Sequence, residues 1–145
     1  IMQHPGVAMV TARDLGSGIH PRNKSGYGHR AALVALGFAY ERKVEIYGPI
    51  YASHKVEGDK IRVQFKHVGA GLTARHADQL QGFAVAGEDG KFYWAQATID
   101  GDSVVVGSGD VPKPVAVQYA WDKSAPWANL FNKDGLPALA FRAGE

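Results

Sequence analysis

The chain has no cysteine among its 145 residues, which excludes a disulfide scaffold and thiolate chemistry while leaving the compartment open. It has no apolar run long enough to span a bilayer and no signal-peptide pattern. It also lacks an excess of either charge. Its 16 basic and 14 acidic residues are spread along the chain for a formal charge of +2, with no patch dense enough to bind nucleic acid or an anionic membrane. Internal repeats and low-complexity linkers are missing too. What is present is a 46% hydrophobic composition, enough for one good core and part of a second.

The stretch that organises the rest runs from Asp14 through Gly16, Ser17, Gly18, His20 and Pro21 to Lys24. Val7 to Val10 is a short apolar run that reads as a strand buried on both faces of a parallel sheet. Gly16 and Gly18 then mark a tight loop. Pro21 biases His20 away from the α region and is itself a favoured first helical residue, so His20 is expected just ahead of a helix N-terminus. There the positive end of the helix dipole favours neutral imidazole, the form that accepts a proton. Asp14 is the candidate acid for the other ring N–H, which makes two-thirds of a hydrolase triad. The helix itself, about residues 24–40, carries Ala31 to Ala35, Leu36, Phe38 and Ala39 almost contiguously, so it needs cover on several sides.

From about Val44 the pattern changes to alternation. Ile61, Val63 and Phe65 fall on one face of Lys60–Lys66, with charge on the other, and Val115, Val117, Tyr119 and Trp121 repeat the pattern. Glu57-Gly58-Asp59, Glu88-Asp89-Gly90 and Asp100-Gly101 are turn signals. The fold class is therefore mainly β: an antiparallel β-sandwich or jelly roll of about eight strands over residues 44–145, preceded by a strand-loop-helix unit over residues 1–43.

DLGSGIHPRNK (residues 14–24), the small-residue helix ending near Tyr40, LQGFAVAGEDGKFYWAQA (80–97), VAVQYAW (115–121) and NLFNKDGLPALAFR (129–142) together resemble the C-terminal third of the sialate O-acetylesterases, carbohydrate esterases of the SGNH hydrolase superfamily. The likeness runs from about Val7 to about Arg142. It implies that residues 1–43 are the C-terminal strand, catalytic-histidine loop and helix of an SGNH α/β domain, with His20 of the Ile-His-Pro-x-x-Lys segment as the catalytic histidine. Many such enzymes place the acid three residues earlier, where this chain has Ser17, so Asp14 is the remaining candidate. The family's nucleophilic serine lies far upstream of the histidine, so the resemblance implies a partial enzyme, inactive alone, whose partners are the N-terminal part of the same esterase and an acetylated sugar or sialoglycan. It further implies no metal or organic cofactor and a parent that is secreted or periplasmic. The alternative is a non-catalytic β-sandwich that binds carbohydrate or acts as a support.

Several shorter features read as structure. Gly101-Asp102-Ser103 matches the superfamily's nucleophile triplet, but it follows a hairpin signal and runs into Val104-Val105-Val106, whereas a nucleophile elbow leads into a helix. Gly69-Ala70-Gly71-Leu72-Thr73 lacks the ending of a phosphate loop and reads as a glycine-requiring turn. His29 has no helical partner, and His54, His67 and His76 lack metal-ligand spacing. Alternation puts Tyr93 and Trp94 on opposite faces, so one of them is expected in the core. Trp127 is the aromatic expected at the surface near His20.

Overall fold

The computed structural model describes residues 4–16, 20, 22–122 and 125–144. Among the described residues, ten strands follow one α-helix and its π-helical last turn: β1 (Ile50–Glu57), β2 (Lys60–Lys66), β3 (Leu72–Ala74), β4 (Phe83–Ala86), β5 (Phe92–Trp94), β6 (Gln96–Asp100), β7 (Ser103–Gly107), β8 (Ala116–Tyr119), β9 (Leu130–Asn132) and β10 (Phe141–Ala143). One sheet has the order β1-β2-β7-β6, a second β10-β8-β4-β5, and β3 pairs with β9. Every pairing is antiparallel. The chain is thus mainly β, as its alternation predicts.

The side-chain period of two fixes the register. On β2, Ile61, Val63 and Phe65 are buried, and across the ladder Val106 and Val104 continue the same face. Opposite them stand Phe83 and Val85 of β4, Val117 and Tyr119 of β8, and Phe141 of β10, all in one apolar cluster. The Phe83 and Tyr119 rings lie 4.7 Å apart, and Phe141 stacks on Tyr51 at 4.8 Å. Each fully buried side chain of this kind contributes about 1.5–3 kcal/mol. Gly58 (φ +67°) and Gly101 (φ +58°) close the β1–β2 and β6–β7 hairpins in the left-handed region, at the turns the sequence marks.

One segment joins the two larger sheets. Ala95 packs on the core and donates its N–H to the Phe83 carbonyl at 3.1 Å, so β5 of one sheet passes almost directly into β6 of the other. Trp94, Gln96, Thr98 and Asp100 alternate with the inward residues and point outward.

The N-terminal part departs from expectation in two places. Val7 is exposed and Ala8, Met9 and Val10 are half-buried, without a ladder partner among the described residues, because a parallel strand exists only where a neighbouring strand accepts its hydrogen bonds. The helix α1 (Lys24–Val34) starts later than a first turn at Pro21 requires. Asn23 decides the start: its side-chain oxygen accepts the Gly26 N–H at 2.9 Å, the ordinary N-cap arrangement. A π-helical turn, Ala35–Ala39, then ends the helix near the expected Tyr40. The segment leans on the sandwich through Met9, Val10 and Ile46, which share a small apolar cleft with Pro137 and Leu139. Gly48 lies against the backbone of Pro137 so closely that a Cβ there has no room. Only Arg30 and Val34 of α1 are buried, while Tyr27, Leu36, Phe38 and Tyr40 stay exposed. The broad apolar face of the helix therefore has cover on one side.

Candidate active site

The described segments on either side of His20 are anchored. Upstream, Asp14 is gripped by Arg30: Nη1 donates to Oδ1 at 2.7 Å and Nη2 to Oδ2 at 2.6 Å, in the bidentate geometry that suits a guanidinium to a carboxylate. Nη1 also donates to the Thr11 carbonyl at 3.0 Å. The side chains are 10% (Arg30) and 16% (Asp14) exposed, so the pair is largely withdrawn from water. Downstream, Asn23 caps α1.

His20 itself is exposed and makes no hydrogen bond or ion pair among the described residues. Lys24, the first helical residue, comes four positions later, so His20 is separated from the helix N-terminus by more than the Pro21 argument implies. Ser17 and Pro21 lie outside the described residues. The carboxylate of Asp14 is occupied by Arg30 and is not joined to His20 by a hydrogen bond.

Asp14 opens onto a cavity of about 240 Å³, shared with Arg75, His76, Gln81, Trp127 and Asn129. Trp127, 41% exposed, thus lines the same hollow as the candidate acid. Sequence spacing gives no hint of the other lining residues, because they are gathered from three separated segments. Asn129 is 4% exposed and ties two backbone positions together, accepting the Gln81 N–H at 2.7 Å and donating to the Gln79 carbonyl at 2.9 Å. His76 holds a left-handed backbone (φ +66°), uncommon for a residue other than glycine. The Arg75 guanidinium sits over the Phe131 ring at 5.0 Å. Close to Asp14, burial pushes the Tyr119 phenol far above its ordinary range, and the Asp14 charge adds to that. The N–H that Leu130 donates to the phenol oxygen at 2.9 Å opposes the shift.

The remaining polar residues have structural partners. Ser103 is 3% exposed at the start of β7, where its hydroxyl donates to the Asp100 carbonyl at 2.7 Å and accepts from Arg62 at 2.9 Å. It closes a hairpin, in a context with no following helix. His54 contacts the Tyr51 hydroxyl at 2.8 Å, His67 contacts Glu45 at 3.1 Å, and His29 is exposed. No group of three metal-ligating side chains is found among the described residues. Gly69 and Gly71 both have positive φ, and the Ala70 N–H between them is held by the Asp134 carboxylate at 2.9 Å. Tyr93 and Trp94 are both exposed, at 39% and 70%, because the edge position of β5 uncovers the inward-facing Tyr93 as well.

No family model and no curated protein matches the chain. A solved structure does: the crystal structure of a novel carbohydrate acetylesterase from Xanthomonas citri, at 41% sequence identity and a TM-score of 0.86. The match covers 90% of this chain and 31% of that protein, so the chain spans less than a third of the length of the esterase it is similar to. The sequence and the β-rich fold therefore both correspond to a part of a carbohydrate esterase.

Proposed function

We propose that this chain is the C-terminal part of an SGNH-type carbohydrate O-acetylesterase and contributes His20 as the proton-transfer group. The 41% identity to a carbohydrate acetylesterase over 90% of the chain carries this reading. A serine supplied from outside these residues attacks the acetyl carbonyl, and His20 takes its proton and returns it to the departing sugar hydroxyl; water then releases acetate. Sialate is the substrate the family resemblance suggests, and an acetylated sugar is the class the structural neighbour supports.

Two features favour a surface completed by more polypeptide. The exposed Tyr27, Leu36, Phe38 and Tyr40 leave apolar side chains of the helix segment bare on more than one side. Nε and Nη2 of Arg13 are buried with no hydrogen-bond partner among the described residues, a cost that further acceptors would remove. Asp14 follows its observed partner in this reading: locked by Arg30, it sets the base of the loop, and its service as the triad acid requires that His20 swing toward it. The test is acetate release from an acetylated sugar by this chain and by the full-length protein, each with and without His20→Ala. The expected result is no release by the chain alone and a loss of about 10²–10⁴ in rate for the full-length variant. Full activity in the full-length His20→Ala variant would overturn the assignment.

A further inference from the structure

The outer face of the β1-β2-β7-β6 sheet carries a second concavity, of about 980 Å³, bounded by Trp94 on one side and by Asp59 and the Ser108–Asp110 turn on the other. Its floor is set by register. Lys60, Gly107 and Gln96 lie in one row across three strands, and Arg62, Val105 and Thr98 in the next. Gly107 has no side chain, and the stem of Lys60 packs over it, with Cγ 3.0 Å from where a Cβ would stand, so the floor of this row is low and partly lined by Lys60. The wall is Trp94, 70% exposed at the point where the chain passes between the sheets. Its indole presents a broad apolar face to solvent beside amide, hydroxyl and carboxylate groups.

An aromatic wall beside a few convergent polar groups in a concave surface is the make-up of a ligand site. The combination of one flat apolar face with closely set hydrogen-bond acceptors suits a sugar ring, which has an apolar C–H face and a rim of hydroxyls. The lining also selects charge. Asp59, Asp100 and Asp110 face a single lysine, Lys60, and Asp100 already engages Arg62 at 2.6 Å, so an anionic sugar meets repulsion here and a neutral one does not.

The groove does not end at Trp94. The Trp94 ring meets that of Trp127 edge to face, with centroids 6.4 Å apart, and Trp127 lines the Asp14 cavity. An aromatic ridge thus connects the outer sheet face to the Asp14 cavity.

We infer that this groove and the Trp94–Trp127 ridge bind a neutral oligosaccharide and lead it toward the His20 loop. The inference rests on the carbohydrate reading proposed above and deepens it: the substrate is an uncharged glycan chain held over several residues, and not a sialic acid. The test is a tryptophan-fluorescence and calorimetric titration of the intact chain with cello-, xylo- and mannopentaose, and with sialyllactose as the anionic control. Saturable binding of at least one neutral pentasaccharide is expected, with sialyllactose at least tenfold weaker. Trp94→Ala should weaken binding at least tenfold while leaving the thermal midpoint unchanged, since the ring is mostly outside the core. Asp110→Asn should narrow the gap to sialyllactose. Absence of saturable binding by all three neutral sugars at millimolar concentration, undiminished binding in Trp94→Ala, or preference for sialyllactose would each overturn the inference. No ester is present in this assay, so its failure leaves the esterase reading to be judged by acetate release, and the converse holds.

Discussion

Arg30→Met removes a cation that makes three hydrogen bonds, two to Asp14 and one to the Thr11 carbonyl, and leaves a carboxylate only 16% exposed without its partner. Breaking one half of a buried ion pair costs about 3–5 kcal/mol, most of it the desolvation of the charge left behind. The pair here is partly reached by solvent, which places the cost near the lower end, about 3 kcal/mol, or roughly a hundredfold in an opening equilibrium. The cost should be local, because Arg30 ties α1 to the 4–16 segment and takes no part in either large sheet. Native-state hydrogen exchange reads this directly: protection of α1 amides should fall about a hundredfold while β2, β7 and β4 keep theirs. The double variant Asp14→Leu/Arg30→Met, with no charge left to strand, should recover much of the loss. A change in α1 protection of less than about threefold in the single variant would refute the anchoring role. An equal loss across the sandwich strands would refute the local character of the anchor.

Two further outcomes follow from buried contacts. Tyr119 has a folded-state pKa raised by burial above its ordinary 10.0. The unfolded chain therefore gives up this proton first, so stability is intact below about pH 10 and falls as pH rises from there toward the folded value. Tyr119→Phe should flatten that alkaline decline in urea unfolding, at a cost of about 1–3 kcal/mol at neutral pH, because the Leu130 N–H loses its acceptor. Gly48→Ala should destabilise by about 1–3 kcal/mol, since the new methyl runs into the backbone of Pro137, which cannot rotate aside. Its signature in calorimetry is a lowered thermal midpoint; an unchanged midpoint would show that the 46–50 segment has slack.

What was legible in the sequence was what local physics decides. The alternation of Lys60–Lys66 predicts which side chains enter the core, and Gly58 and Gly101 mark the hairpins, because a period of two and a positive φ are both properties of neighbouring residues. The Ser103 hairpin is readable for the same reason. Long-range pairing is not readable in this way. Val7–Val10 has the composition of a buried strand, yet a strand is defined by a neighbour and the composition does not supply one. Asp14 has the right chemistry for a triad acid, but its partner is chosen by a helix that returns Arg30 to it from 16 residues away. The N-cap at Asn23 was within reach: Asn followed by a small-residue helical run is a start signal that competes with Pro21. The cavity residues His76 and Asn129 had no such signal.

Trp127 brings the outer groove to the Asp14 cavity, and this bears on what the sandwich is for. A mere support for the His20 loop needs anchors such as Arg30 and close packing such as Gly48 on Pro137, and nothing at its outer face. It has no use for an indole left 70% in water and linked ring to ring with the wall of the Asp14 cavity. If both groups serve one reaction, their substitutions must separate kinetically in the full-length protein. Loss of Trp94 removes binding that the ground state and the transition state share, so KM for an oligomeric acetylated glycan rises with kcat nearly unchanged. Loss of Arg30 loosens the loop that presents His20, so kcat falls and a short acetyl ester, which never reaches the groove, is affected as much as the oligomer. A Trp94→Ala variant that slowed short and long substrates equally would place the ridge within the chemistry and remove the reason to treat groove and loop as separate parts.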